Sequence, residues 1–192
     1  VEGLGDLVFH GVAWSDNDVS IELNFASNGQ STSLFDFAEH TGEYPEVTIV
    51  GKKIVTTVRL DDLIPASETF DFVSLDIQGA ELEALRGLGS RLAAVKWVYS
   101  EVNSSPLYRG IPLVDELDKF MRAHGFERVV TVWTRHGWGE TLYTRVLSGW
   151  RHQGLIAIGR LYETRAKLGV WHAAKRLRRK LKEFLDSGYL WL

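Results

Sequence analysis

Apolar and polar positions change their period several times along the chain. Residues 7–14 (LVFHGVAW) and 19–25 carry strand patterning on either side of Asp16-Asn17-Asp18, a turn signal, so the opening segment predicts a hairpin. Residues 26–46 are rich in Ser, Gly, Asn and acids and read as a loop, broken by the short apolar patch 34–38. Residues 47–50 and 54–60 predict two β-branched strands around a Gly51-Lys52-Lys53 turn, and 61–65 a turn or short helical step. The run 70–76 is apolar on both faces for most of its length, the pattern of a strand covered on both sides in a parallel sheet. Residues 81–86 then predict a short helix with Leu82 and Leu85 inward and Gly87 and Gly89 as its stop. Its first turn holds Glu81 and Glu83, where the helix dipole favours negative charge.

Residues 95–101 (VKWVYSE) predict a further strand, ending on a carboxylate. Leu113, Leu117, Phe120 and Met121 fall at helical spacing after Pro112 and before Gly125, which places a helix over 113–124. Residues 129–133 and 141–146 close as a hairpin across His136-Gly137-Trp138-Gly139. From Phe70 onward the order is strand, helix, strand, helix, strand, strand, the closing half of an α/β domain.

Composition narrows the class without changing this outline. A chain of 192 residues, 45% hydrophobic and 11% aromatic, is long enough for one domain with a real core. It has no cysteine, which excludes disulfides and thiolate metal sites, and its six histidines show no metal-ligand spacing, so no bound metal is expected. No apolar run approaches the roughly 18 residues that span a bilayer, and residues 1–25 lack a signal-peptide pattern, so a cytoplasmic protein is expected.

Charge divides the chain into an acidic body, 1–149, and a basic tail, 150–192, which carries ten Lys and Arg against three acids. A nucleic-acid enzyme would place its positive charge around its cleft, so no nucleic-acid substrate is expected. In the tail, Val170, Ala174, Leu177, Leu181, Phe184 and Leu185 line one face of a predicted helix. Two readings stay open for it: packing on the domain or on a partner, with its charges in water, or a peripheral membrane contact through 170–192 with Trp171, Tyr189 and Trp191 at the interface.

The candidate chemistry lies where strands run into carboxylates. Ligands of open α/β sheets sit beyond the carboxyl ends of the strands, and Asp76 and Glu101 occupy two such ends on what would be consecutive parallel strands. Gly79 permits a sharp strand-to-helix turn and close approach of a ligand to the backbone. The competing reading makes Asp76 a helix cap and Glu101 a solvated loop acid.

Residues 56–85, TTVRLDDLIPASETFDFVSLDIQGAELEAL, closely resemble the signature of the FkbM-type methyltransferases. Leu60-Asp61-Asp62-Leu63 is similar to that family's "tLDdl" segment, and Asp76-Ile77-Gln78-Gly79-Ala80-Glu81 to its Asp-[Val/Ile]-[Glu/Gln]-Gly-x-Glu. GVAWSDNDV (11–19), Ser31-Thr32-Ser33-Leu34, Glu101 and WGETLYTR (138–145) resemble further family segments in the same order, so the likeness covers roughly residues 4–146. It implies a Rossmann-like class I methyltransferase sheet that binds S-adenosylmethionine and methylates a hydroxyl of a small-molecule or glycan acceptor, a sugar or related natural product. On the matching positions, Ala13, Trp14 and Asp16 would lie beside the adenine, Asp76 and Gln78 near the methyl donor or acceptor with Gly79 behind them, and Glu101 across the cleft. Asp76 is then the first candidate for base or acceptor anchor and Glu101 the second.

The family pattern opens with a strand and a glycine-rich loop, roughly "DvGAnxG", and a second strand ending in a ribose-binding acid. This sequence starts after both, and Gly3-Leu4-Gly5 precedes a strand instead of following one. The expectation is therefore a sheet incomplete at its N-terminus, and the rival to an active enzyme is a non-catalytic Rossmann-like binding module or inactive fragment.

Overall fold

A computed structural model describes residues 11–145 together with Gly159. The predicted basic tail, its membrane-surface contact over 170–192 and the first part of the opening strand lie outside the described residues. Among those described, no helix is long and apolar enough to cross a membrane.

The strands form two groups. The first comprises β1 (Gly11–Ala13), β2 (Ser20–Ala26) and β3 (Ile49–Val58) in the order β1-β3-β2. The second comprises β4 (Phe72–Leu75), β5 (Trp97–Asn103), β6 (Phe126–Trp133) and β7 (Trp138–Arg145) in the order β4-β5-β7-β6. β4 and β5 are parallel, whereas β7 runs antiparallel to both β5 and β6, so this sheet is mixed. The helices are α1 (His40–Glu43), α2 (Leu60–Leu63), α3 (Glu81–Gly87), which continues through Leu88 into a 3-10 turn at Gly89–Ala93, and α4 (Val114–Ala123). The strand-helix-strand-helix-hairpin order read from Phe70 onward is the order observed.

The first group corrects two expectations. β1 and β2 do not form a hairpin, because β3 lies between them, parallel to β1 and antiparallel to β2. Nor do residues 51–53 turn: Gly51, Lys52 and Lys53 pair with Phe25, Asn24 and Leu23, and the ladder keeps the chain extended through the turn-like triplet. Gly51 lies beneath the Phe25 ring, where an added Cβ would sit 3.9 Å from a ring carbon. Val47 is buried outside any strand, and the 26–46 segment contains the short helix α1.

The main core joins α3 and α4 to one face of the four-stranded sheet through Val73, Leu75, Leu82, Leu85, Val98 and Phe126, with Leu117 and Met121 presented by α4 at helical spacing. A second cluster, Val129, Val130 and Leu142 with Trp97 and Tyr99, is built on β5, β6 and β7. Asp118, buried in the fold, receives Arg128 Nε at 3.1 Å and the Tyr143 hydroxyl at 2.8 Å. Arg145 donates to the carbonyls of Leu92, Val95 and His124, tying the end of β7 to the turns beneath the helices.

The two strand groups meet at Gly87. A Cβ there would stand 2.1 Å from the Trp14 carbonyl oxygen, so the end of α3 lies directly on the backbone that follows β1. Backbone cannot retreat as a flexible side chain does, so Gly87→Ala is expected to lower stability by about 3 kcal/mol, the upper range for overpacking a tight contact. Urea unfolding of the variant against the parent chain measures it; a loss under about 0.5 kcal/mol would show that the contact gives way easily.

Candidate active site

The site grows from the turn between β4 and α3. The sequence Asp76-Ile77-Gln78-Gly79-Ala80-Glu81 bends sharply there, with Gln78 at φ 53° and Gly79 at φ 101°, both left-handed. A glutamine in that region is uncommon and is held by its surroundings, whereas Gly79 meets the requirement directly. Gly79 is also buried, and a Cβ would fall 2.5 Å from Ile111 Cγ2. The turn is fastened from inside by Glu81, whose carboxyl accepts the Ile77 N–H at 3.0 Å and the Gly79 N–H at 3.0 and 3.2 Å.

Asp76 lies just beyond β4 and is exposed, and it does not cap α3: the N-cap is Ala80, and no side chain caps that end. Its Oδ1 accepts the Gln78 Nε2–H at 2.8 Å instead. The same nitrogen lies 3.4 Å from Glu101 Oε2, so one amide bridges the two carboxylates singled out in the sequence. Glu101 is not a strand terminus: β5 runs on to Asn103, and Glu101 pairs in register with Glu140 of β7. It is buried, with 9% of its surface accessible, which also removes the reading of a solvated loop acid.

Burial dominates the electrostatics. It pushes the Glu101 carboxyl up to about 8, with the charges of Glu81 and Asp76 adding to the effect and the Gln78 hydrogen bond opposing it. Burial likewise raises Glu81 to about 7, against the backbone N–H groups that favour its ionised form.

A pocket of about 290 Å³ opens beside this turn, lined by Ala13, Ser33, Leu34, Asp76, Ile77 and Gln78 among others. Ala13 ends β1 and Asp76 follows β4, so the pocket lies at strand carboxyl ends, and its volume is near the lower end for a small-molecule site, on the order of 300 Å³. Of the positions predicted for a cofactor, Ala13, Asp76 and Gln78 line it. Trp14 instead turns its carbonyl to Gly87, with its ring 6.2 Å from Phe35. Asp16 is exposed, and its carbonyl accepts the Thr57 hydroxyl at 2.7 Å. Gly79 shapes the turn from behind. Glu101 lines a separate water-sized cavity with Glu81 and Asn103.

The structure adds residues that the sequence reading left out. Ser33 Oγ donates to the Gln78 carbonyl at 2.7 Å, and Tyr108 donates to Gln78 Oε1 at 2.6 Å. Glu81 and Ser33 stood inside recognisable motifs and could have been found from them. Tyr108 and His40, which touches Ser31, lie in segments without periodicity and carried no such signal.

Fold and site together define an α/β protein with a pocket of mixed polar and apolar lining at the carboxyl ends of β1 and β4, and with one amide joining Asp76 beside it to Glu101 inside β5. The chain belongs to the FkbM methyltransferase family, whose methyltransferase FkbM domain matches residues 5–128. It is similar to the 2-O-methyltransferase NoeI of Sinorhizobium fredii, with 33% identity over 118 residues, 56% of this chain and 48% of that protein. The chain thus spans about half the length of the curated relative it matches. No solved structure matches it.

The raised carboxyls make stability depend on pH with a definite sign. Glu101 and Glu81 bind protons more tightly folded than unfolded, so their contribution is complete below the unfolded value and is lost as pH rises to about 8. Unfolding free energy is therefore expected to fall between about pH 5 and about pH 8. Glu101→Gln, which cannot ionise, is expected to flatten that decline; urea titrations at several pH values compare the slopes, and equal slopes would contradict the assignment.

Proposed function

We propose that this chain carries the catalytic residues of an S-adenosylmethionine-dependent O-methyltransferase with a Rossmann-like sheet, acting on a hydroxyl of a sugar or related small-molecule acceptor. The observation that carries the reading is the Asp76–Gln78–Glu101 constellation beside a pocket that begins at Ala13. Family membership and the likeness to a 2-O-methyltransferase support it.

The described residues suit such a cofactor on one side. Ala13, Leu34 and Ile77 offer an apolar wall for a flat base, while Ser33, Asp76 and Gln78 offer polar contacts. When bound, S-adenosylmethionine supplies a methyl group already activated by its sulfonium. The chain's residues then have to align an acceptor oxygen and take its proton. Asp76 lines the pocket with Oδ1 held by Gln78, which leaves Oδ2 as the oxygen to receive that proton. Glu101, pushed up to about 8 by burial, holds its proton more tightly than a free carboxyl does and accepts the Gln78 amide hydrogen on Oε2. No basic side chain is among the described residues lining the pocket, an environment that suits a neutral hydroxyl and a cationic sulfonium better than an anionic acceptor.

Two measurements test this. Calorimetric titration of the chain with S-adenosylhomocysteine is expected to give saturable heat, and silence would favour a non-catalytic binding module. Transfer of labelled methyl from S-adenosylmethionine to hydroxyl-bearing glycans is expected to fall about 100-fold or more in Asp76→Asn, the usual scale for losing a general base. Undiminished turnover in that variant would remove Asp76 from the role.

A further inference from the structure

Among the described residues, the Gln78 amide touches both candidate carboxylates, and its orientation is set from behind. The Tyr108 ring is buried, and its hydroxyl lies 2.6 Å from Gln78 Oε1. Burial, followed by the charge of Glu101, holds this phenol well above the usual tyrosine range, so it keeps its hydrogen and donates it. An amide has one accepting and one donating end. With Oε1 facing the phenol, Nε2 must face Asp76 and Glu101, and its two hydrogens match the two carboxylate oxygens at 2.8 and 3.4 Å. The flipped amide would set its oxygen against Asp76 Oδ1 and its NH2 against the phenol donor.

Ser31 accepts Asn28 Nδ2 at 3.0 Å and lies 3.0 Å from His40 Nε2. Burial lowers the His40 proton affinity and keeps this ring neutral, and its other nitrogen, Nδ1, has no partner.

We propose that Tyr108 is a positioning residue: it locks the Gln78 amide so that its NH2 holds Asp76 and Glu101. The proposal rests on the reading of Asp76 and Glu101 as the site. It assigns no contact with substrate to Tyr108; the residue acts through Gln78.

The experiment is a carbon-13 NMR titration of the Glu101 side-chain carboxyl in the 192-residue chain without cofactor, parent against Tyr108→Phe and Gln78→Met. The charged groups facing Glu101 are Asp76 from the β4–α3 turn, Glu81 from α3 and Glu140 from β7, and the variants change none of them. Without the phenol hydrogen the amide is free to turn, and the Glu101 midpoint is expected to rise by about half a pH unit, the scale of one long charge-assisted hydrogen bond. Gln78→Met, which removes the amide, is expected to raise it at least as far. An unmoved midpoint in folded Tyr108→Phe overturns the proposal, and should that variant not fold, an unmoved midpoint in Gln78→Met does so. The titration reads a carboxyl group and not turnover, so its result is separate from whether the chain transfers a methyl group.

Discussion

The Glu81 carboxyl, folded back beneath the β4–α3 turn, is the interaction on which the site depends. Backbone N–H groups in a buried turn must find acceptors, and the left-handed step at Gln78 and Gly79 takes those of Ile77 and Gly79 out of any regular ladder. Glu81 supplies the acceptor from the first turn of α3, so the helix that packs on the core also fixes the loop before it. Burying that carboxyl is unfavourable, and its raised proton affinity expresses the cost; the N–H groups it satisfies offset it.

Once the turn is fixed, the left-handed backbone at Gln78 places three groups at once. Its carbonyl meets the Ser33 hydroxyl, its amide oxygen meets Tyr108, and its amide nitrogen reaches the two carboxyl groups. Strain of this kind persists only where several contacts over-determine it. Carboxyl groups gathered this closely repel one another, which is visible in the upward push on Glu101 from Glu81 and Asp76. An amide between them relieves part of that repulsion without adding charge.

The segment that carries Ser31 and Ser33 is held against the rest of the fold at several points. Ala38 and His40 donate their N–H groups to the Leu107 carbonyl, and Arg109 donates to that of Asp36, so this loop and the one bearing Tyr108 are laced together. Farther out, His136 meets Glu43 at 2.6 Å and the Trp138 indole donates to the Tyr44 hydroxyl at 2.9 Å, fastening α1 to the β6–β7 turn. Phe37 stacks on His40 with centroids 4.1 Å apart and packs edge-on against Tyr108, setting an apolar ring beside the polar groups behind Gln78. The pocket wall is thus a loop by backbone pattern that backbone and side-chain contacts tie to the rest of the fold.

Sequence alone determined what depends on local pattern. The period of apolar residues fixed α4 to within a residue at each end, the six-residue Asp76-to-Glu81 motif located the turn of the site, and the order of elements after Phe70 followed from length and spacing. These were legible because a helix or a buried strand writes its burial directly into neighbouring positions. Only the tertiary structure decided that Gly51-Lys52-Lys53 stays extended, because pairing with β2 overrides a turn-like triplet, and that β3 separates β1 from β2, because strand partners are chosen across the chain. It alone showed Glu101 inside a strand and brought Tyr108, Ser31 and His40 behind Gln78. Those residues lie in irregular segments, where no repeating burial marks a side chain and its partner is set by contacts dozens of residues away.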